Sequence, residues 1–138
     1  MIEEMMDSED MDEQPAPSGE VDLVTEFIRM REQYQVFHWA TTSFALHKGC
    51  DWIFDELSCN IDKFMESYLG AFGRGVIRGP FKVILLDPSA IDPAEFTQHC
   101  IEIVDEVADM IKGNPDLENI TADMLGAFHK LLYLLTLS

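Results

Sequence analysis

From residue 21 onward, apolar residues recur three and four apart, the period of an amphipathic helix. Val24, Phe27, Ile28, Tyr34, Phe37 and His38 mark one stripe of a first helix, predicted from about residue 21 to the low 40s. Thr41-Thr42-Ser43 weakens it, because hydroxyl side chains compete for backbone hydrogen bonds; a bend or short break is expected there. A second helix is predicted over about 45–72, with Cys50, Phe54, Leu57, Ile61, Phe64 and Tyr68 as its core stripe and Gly70 and Gly73 at its end. The third helix has a written start: Asp92 as N-cap, Pro93 at the first helical position and Glu95 completing a capping box. Phe96, Cys100, Val104, Val107, Ala108 and Ile111 form its buried stripe, and Gly113-Asn114-Pro115 stops it. A fourth helix, predicted from near Thr121 or a few residues earlier, carries Leu125, Phe128, Leu132 and Leu135.

Residues 73–91 break the pattern. Gly73-Arg74-Gly75 and Arg78-Gly79-Pro80 are turn chemistry, and residues 81–86 form a short apolar run, read as one strand-like or helical-turn element. The glycines lack the Gly-Lys-Ser/Thr of a phosphate-binding loop. Four helices with one long crossover between the second and third describe an all-α fold, a ferritin-like four-helix bundle over residues 21–138. Residues 1–20 carry eight acids, no base and a Gln-Pro-Ala-Pro-Ser-Gly stretch, and read as a disordered acidic tail dispensable for folding, a solubilising extension with a docking or regulatory tail as the alternative.

Composition narrows the function. The 138 residues contain 26 acids against 9 Lys and Arg, a net charge of −17, nearly half of it in the first 20 residues. Binding to nucleic acid through bulk charge and docking on anionic membranes are both disfavoured. No apolar run approaches the ~18 residues of a membrane span, and the acidic start does not look secretory. Three cysteines without a CxxC, beside eight methionines, suggest a reducing compartment and no disulfide framework. A cytoplasmic setting is expected.

The second helix carries a second stripe. At 100° per residue, His47, Asp51, Asp62 and Glu66 fall at about 0°, 40°, 60° and 100°, roughly 110° from the core stripe. Met65 and Leu69 lie in or beside this face, which a merely solvated face would not be expected to include. His47/Asp51 and Asp62/Glu66 are two i,i+4 pairs whose midpoints lie about 22 Å apart along the axis. One chain cannot bring both pairs to one ion. Two copies with these helices antiparallel across a two-fold can, giving two equivalent sites per dimer. Mixed imidazole and carboxylate ligands suit iron or another first-row divalent ion. His99 and His129 have no partner pattern, and Glu102, Asp105, Glu106 and Asp109 read as a solvated outer face.

Phe37-His38-Trp39, Leu46-His47, Asp51, and Ile61-Asp62 with Glu66 together resemble the signature of Dps proteins, the small dodecameric ferritins. The spacing from His47 onward matches that signature; the gap between the two histidines is shorter. The pattern also resembles uncharacterised Dps-like proteins of tailed phages and large DNA viruses. The motif-bearing likeness covers residues 34–72. It implies a ferroxidase centre in which His38, His47 and Asp51 of one chain face Asp62 and Glu66 of a neighbour, with ferrous iron (Fe) oxidised there by peroxide or oxygen and stored in a homo-oligomeric shell. It also implies a liability, since Cys50 adjoins Asp51. Trp39 and Trp52 are read as packing residues, the alternative being that they quench one-electron oxidants near such a site. The alternative is a non-catalytic viral or phage structural or accessory protein that keeps the bundle without the chemistry, in the host cytoplasm or the virion.

Overall fold

The computed structural model describes residues 14–17 and 21–137. Among them are four long helices and no strand: α1 (Leu23–Ala40), α2 (Phe44–Phe72), α3 (Pro93–Met110) and α4 (Pro115–Leu135), with a short 3-10 turn over Arg74–Ile77. No described helix is long and apolar enough to cross a membrane. The acidic tail expected over residues 1–20 lies outside the described residues except for 14–17, which have no regular secondary structure.

Local chemistry sets each boundary. Asp22 caps α1, accepting from the Thr25 amide at 3.2 Å. The expected break falls at residues 41–43: the Thr41 hydroxyl accepts from the Ser43 amide at 3.1 Å, and the Ser43 hydroxyl caps α2 by accepting from the Leu46 amide at 3.3 Å. Gly73, at φ 80°, ends α2 in a conformation that favours glycine. Asp92 caps α3 through the Ala94 and Glu95 amides. The last helix opens at Pro115, ahead of the expected Thr121. The reason is local: Gly113 turns the chain at φ 94°, and the Glu118 carboxylate reaches back to accept from the Gly113 amide at 2.6 Å. The same Gly-Asn-Pro therefore stops one helix and starts the next.

Packing pairs fix the topology. Tyr34 and Phe37, near the end of α1, meet Phe96 at the start of α3, with ring centroids 5.2 and 5.7 Å apart. Hence α3 runs antiparallel to α1 and parallel to α2. Gly49 at the start of α2 lies against Leu131 near the end of α4. The chain is thus an all-α four-helix bundle whose one long crossover, residues 73–92, travels its full length between α2 and α3. Phe27, Tyr34, Ile53, Leu57, Phe64, Phe96, Val104, Met124 and Phe128 are among the buried core residues. The Tyr34 hydroxyl, buried, donates to the Thr97 hydroxyl at 2.7 Å, and that hydroxyl donates to the Pro93 carbonyl. Burial pushes the Tyr34 phenol well above its ordinary range.

Four expectations need correction. The buried stripe of α1 is Leu23, Phe27, Met30, Tyr34 and Phe37, with Val24 and Ile28 only half-buried. That of α4 is Leu117, Met124, Phe128 and Leu131, with Leu125, Leu132 and Leu135 half-buried. On α2, Ile53 rather than Phe54 fills the core. Residues 81–86 form neither strand nor helical turn. Their backbone has no strand neighbour. It is held at one place by buried Gln33, whose amide donates to the Leu86 carbonyl at 3.0 Å and accepts from the Leu86 amide at 2.6 Å.

Candidate metal centre

The short corner between α1 and α2 brings His38 and His47 face to face. Their rings stack at 3.9 Å between centroids, tilted by 20°. His38 Nδ1 lies 2.9 Å from the His47 carbonyl oxygen, and His47 Nδ1 lies 3.0 Å from the His38 carbonyl oxygen. A carbonyl only accepts, so both Nδ1 atoms donate. The His38 carbonyl belongs to the last turn of α1, where intrahelical partners run out. The His47 imidazole supplies the missing donor. The reciprocal pair thus closes the corner and fixes both ring orientations.

That arrangement has a chemical consequence. A ring whose Nδ1–H is committed to a carbonyl keeps the Nε2 lone pair when neutral. Metal-binding histidines usually donate their other ring N–H to a carbonyl or carboxylate in this way. Asp51 follows one turn after His47 and is exposed. Asp62 and Glu66 are exposed further along α2, with no hydrogen bond or ion pair among the described residues. Within one chain, the described residues contain no group of three or more His, Cys, Asp or Glu placed to hold a metal ion. The structure brings His38 and His47 together and leaves Asp62 and Glu66 apart from them. Within one chain the donors therefore stand as two separate groups, an imidazole end and a carboxylate end, and neither is a complete metal site.

Sequence reasoning missed several neighbours. Trp39 and Phe44, on either side of the corner, are 71% and 74% exposed rather than packed. The Lys48 ammonium sits 5.7 Å from the Phe44 ring centroid. Trp52 is half-buried, with the Lys130 ammonium 4.7 Å from its ring centroid. A capping Ser43 was the signal for Phe44, since it makes Phe44 the first helical residue. Met65, expected in or beside the ligand-type face of α2, is half-buried and packs against the core. Cys50 adjoins Asp51 in sequence but points into the core, fully buried, and burial pushes its thiol up to about 12. The reactive thiolate is suppressed, which answers the expected liability. His99 and His129 are exposed, as are Glu102, Asp105, Glu106 and Asp109 on the outer face of α3.

The sequence pattern that defines a Family of unknown function (DUF5856) matches residues 38–135, a span that opens on His38 and closes on the last residue of α4. The chain is also similar to a protein of Enterobacteria phage T4, an "uncharacterized 14.6 kDa protein in mobD-ri intergenic region". Identity is 30% over 129 residues, covering 87% of this chain and 93% of that protein. No solved structure matches significantly.

Proposed function

The chain belongs to the Family of unknown function (DUF5856); on the geometry of its histidine corner, we propose that it is a Dps-like iron-oxidising protein that works as a homo-oligomer. The observation that carries this reading is the reciprocal histidine clasp, which commits both Nδ1 atoms and leaves both Nε2 lone pairs uncommitted, with exposed Asp51 one helical turn after His47. Each site is built from His38, His47 and Asp51 of one copy and Asp62 and Glu66 of another, related by a two-fold axis along α2. Ferrous iron is the substrate. Two ferrous ions each give one electron to a peroxide, which takes up two protons and leaves as two waters. Asp62 and Glu66 supply hard anionic oxygens suited to the more highly charged product ion, while the imidazoles hold the ferrous form reversibly. Exposed Trp39 and Phe44 beside the clasp supply apolar surface for the neighbouring copy.

The test is stopped-flow absorbance of ferric species after mixing ferrous iron and peroxide, with sedimentation to report assembly. Asp62→Asn with Glu66→Gln is expected to abolish oxidation and leave the oligomer intact. Equal rates in wild type and double variant, or a monomer at micromolar concentration, would sink the proposal.

A second reading has an observation of its own. The clasp is complete as a structural device, since it satisfies a helix-end carbonyl and joins α1 to α2 without any metal. With a phage protein as a relative, a non-catalytic phage accessory bundle fits equally well. A wild-type protein with no oxidation and no bound iron selects it.

A further inference from the structure

The crossover presents a surface unlike the rest of this acidic molecule. Residues 71–86 contain no acid and hold three of the nine basic residues, Arg74, Arg78 and Lys82. All three are exposed, and none has an acidic partner among the described residues, where the ion pairs are Arg29–Glu26 and Arg31–Glu32. Interleaved with them are exposed apolar side chains: Ile77, Leu85, Leu86 and, at 59% exposure, Ile84. Contiguous basic and apolar exposure on a strongly acidic chain marks a surface that something covers.

The chain itself carries the complement. Residues 1–13 hold seven acids, no Lys or Arg, and five apolar residues: Met1, Ile2, Met5, Met6 and Met11. The structure also says where this stretch enters. The Gln14 amide donates to the Ala71 carbonyl at 2.9 Å. Ala16 and Pro17 line a cavity of about 280 Å³ together with Tyr68, Phe72, Gly75 and Val76. The described chain therefore starts, at Gln14, beside Ala71 at the mouth of the crossover, three positions before Arg74. Thirteen residues reach at most about 45 Å when extended. Residues 74–86 are also thirteen, so every part of the basic surface lies within reach.

We infer that residues 1–13 dock on residues 74–86 of the same chain, their carboxylates pairing with Arg74, Arg78 and Lys82 and their Met and Ile side chains covering Ile77, Ile84 and Leu85. Pairing within one chain is favoured over pairing between copies because the anchor at Ala71 holds the segment beside its target at high effective concentration.

Two measurements on the full chain test this. The first is limited trypsin digestion, which cuts after Arg74, Arg78 and Lys82. It compares wild type with a variant lacking residues 2–13, and with one in which every Glu of residues 1–13 is changed to Gln and every Asp to Asn. Cleavage tracks the uncovered population, so both variants are expected to be cut roughly tenfold faster at these three bonds, with cleavage elsewhere unchanged. Near 1 M salt, where the screening length is about 3 Å, the wild-type protection should shrink.

The second is zero-length carbodiimide cross-linking, which is expected to join Lys82 to an acid of residues 1–13. A co-expressed pair distinguishes the source: one copy carries Lys82→Gln with residues 1–13 intact, the other keeps Lys82 but lacks residues 2–13. Within-chain docking gives no joined peptide in that pair. A joined peptide there shows that the segment crosses to another copy and overturns the inference. Equal cleavage in all three proteins, with no link at Lys82, overturns it as well and leaves the surface to another occupant, such as a second copy's crossover.

Discussion

The two ends of α2 treat their polar side chains in opposite ways. At the first end, the His47 ring is fixed by a stacking partner and by a hydrogen bond that also completes the end of α1. At the other, Asp62 and Glu66 stand exposed, with no hydrogen bond or ion pair among the described residues. Folding therefore organises the imidazole half in advance, because the helix end needs those bonds in any case. Among the described residues nothing organises Asp62 and Glu66. Under the proposed function, a site split in this way would be inert in a lone chain and would gain its full donor set only on assembly.

Separating the two jobs of the histidines should have the largest effect. The Asn side-chain amide occupies nearly the position of His Nδ1 but offers nothing at Nε2. His38→Asn with His47→Asn is expected to retain much of the clasp and lower ferrous oxidation to the rate of iron in buffer. His38→Gln with His47→Gln, which misplaces the donor, is expected to lower the melting temperature. If both pairs oxidise iron at the wild-type rate, the imidazole end is not part of the site.

Stability should show the same contrast. His38→Ala with His47→Ala removes two side-chain to backbone hydrogen bonds and is expected to cost about 2 kcal/mol, read as a fall of several degrees in Tm. Asp62→Ala with Glu66→Ala at the exposed end is expected to stay within about 0.5 kcal/mol. Equal losses at the two ends would remove the contrast.

The sequence made much of this legible where the signal was local. The break at residues 41–43, the Asp92 cap and the ligand-type face of α2 all follow from side chains acting within a few positions of themselves. The rotation of α1 and α4 was not legible. Leu23 and Val24 are both apolar, as are Met124 and Leu125. Periodicity cannot choose between adjacent apolar stripes about 100° apart when only tertiary packing decides. The clasp was hidden for a related reason. A shortened gap between two histidines gives no hint that each ring will reach the other's carbonyl, because that depends on how sharply the corner folds. Met65 shows the limit of a wheel argument: a half-buried side chain can serve the core from the edge of another face.

Beneath both ends lie buried thiols and phenols, and pH should show it. Burial pushes the Cys50 and Cys100 thiols up to about 12 and raises the Tyr34 and Tyr68 phenols. These groups ionise more easily in the unfolded chain. Their contribution is thus fully present below the ordinary thiol value of about 9 and is lost as pH rises from there through about 12. Denaturant titrations should give a level unfolding free energy just below pH 9 and a decline above it. A stability that rises across this window would contradict the burial.

The smallest effect lies between the two ends. Cys59 is exposed, whereas Cys50 and Cys100 are buried. Native protein should take up one equivalent of a thiol reagent, at Cys59, and the other two only after unfolding. Mass spectrometry of the labelled peptides checks this, and Cys59→Ser should leave folding unchanged within about 0.5 kcal/mol.

The crossover held by Gln33 has a consequence for the chain as a whole. On one side of it lies the hairpin of α1 and α2, on the other the hairpin of α3 and α4, and the core is the seam between them. The strap makes their meeting an intramolecular event, at an effective concentration on the order of millimolar. A single cut after Arg78 turns one folded molecule into two halves that must find each other. At micromolar protein that is a thousandfold dilution of one half seen by the other, about 4 kcal/mol. The intact bundle has a stability independent of concentration within one chain, and the nicked one would come apart on dilution.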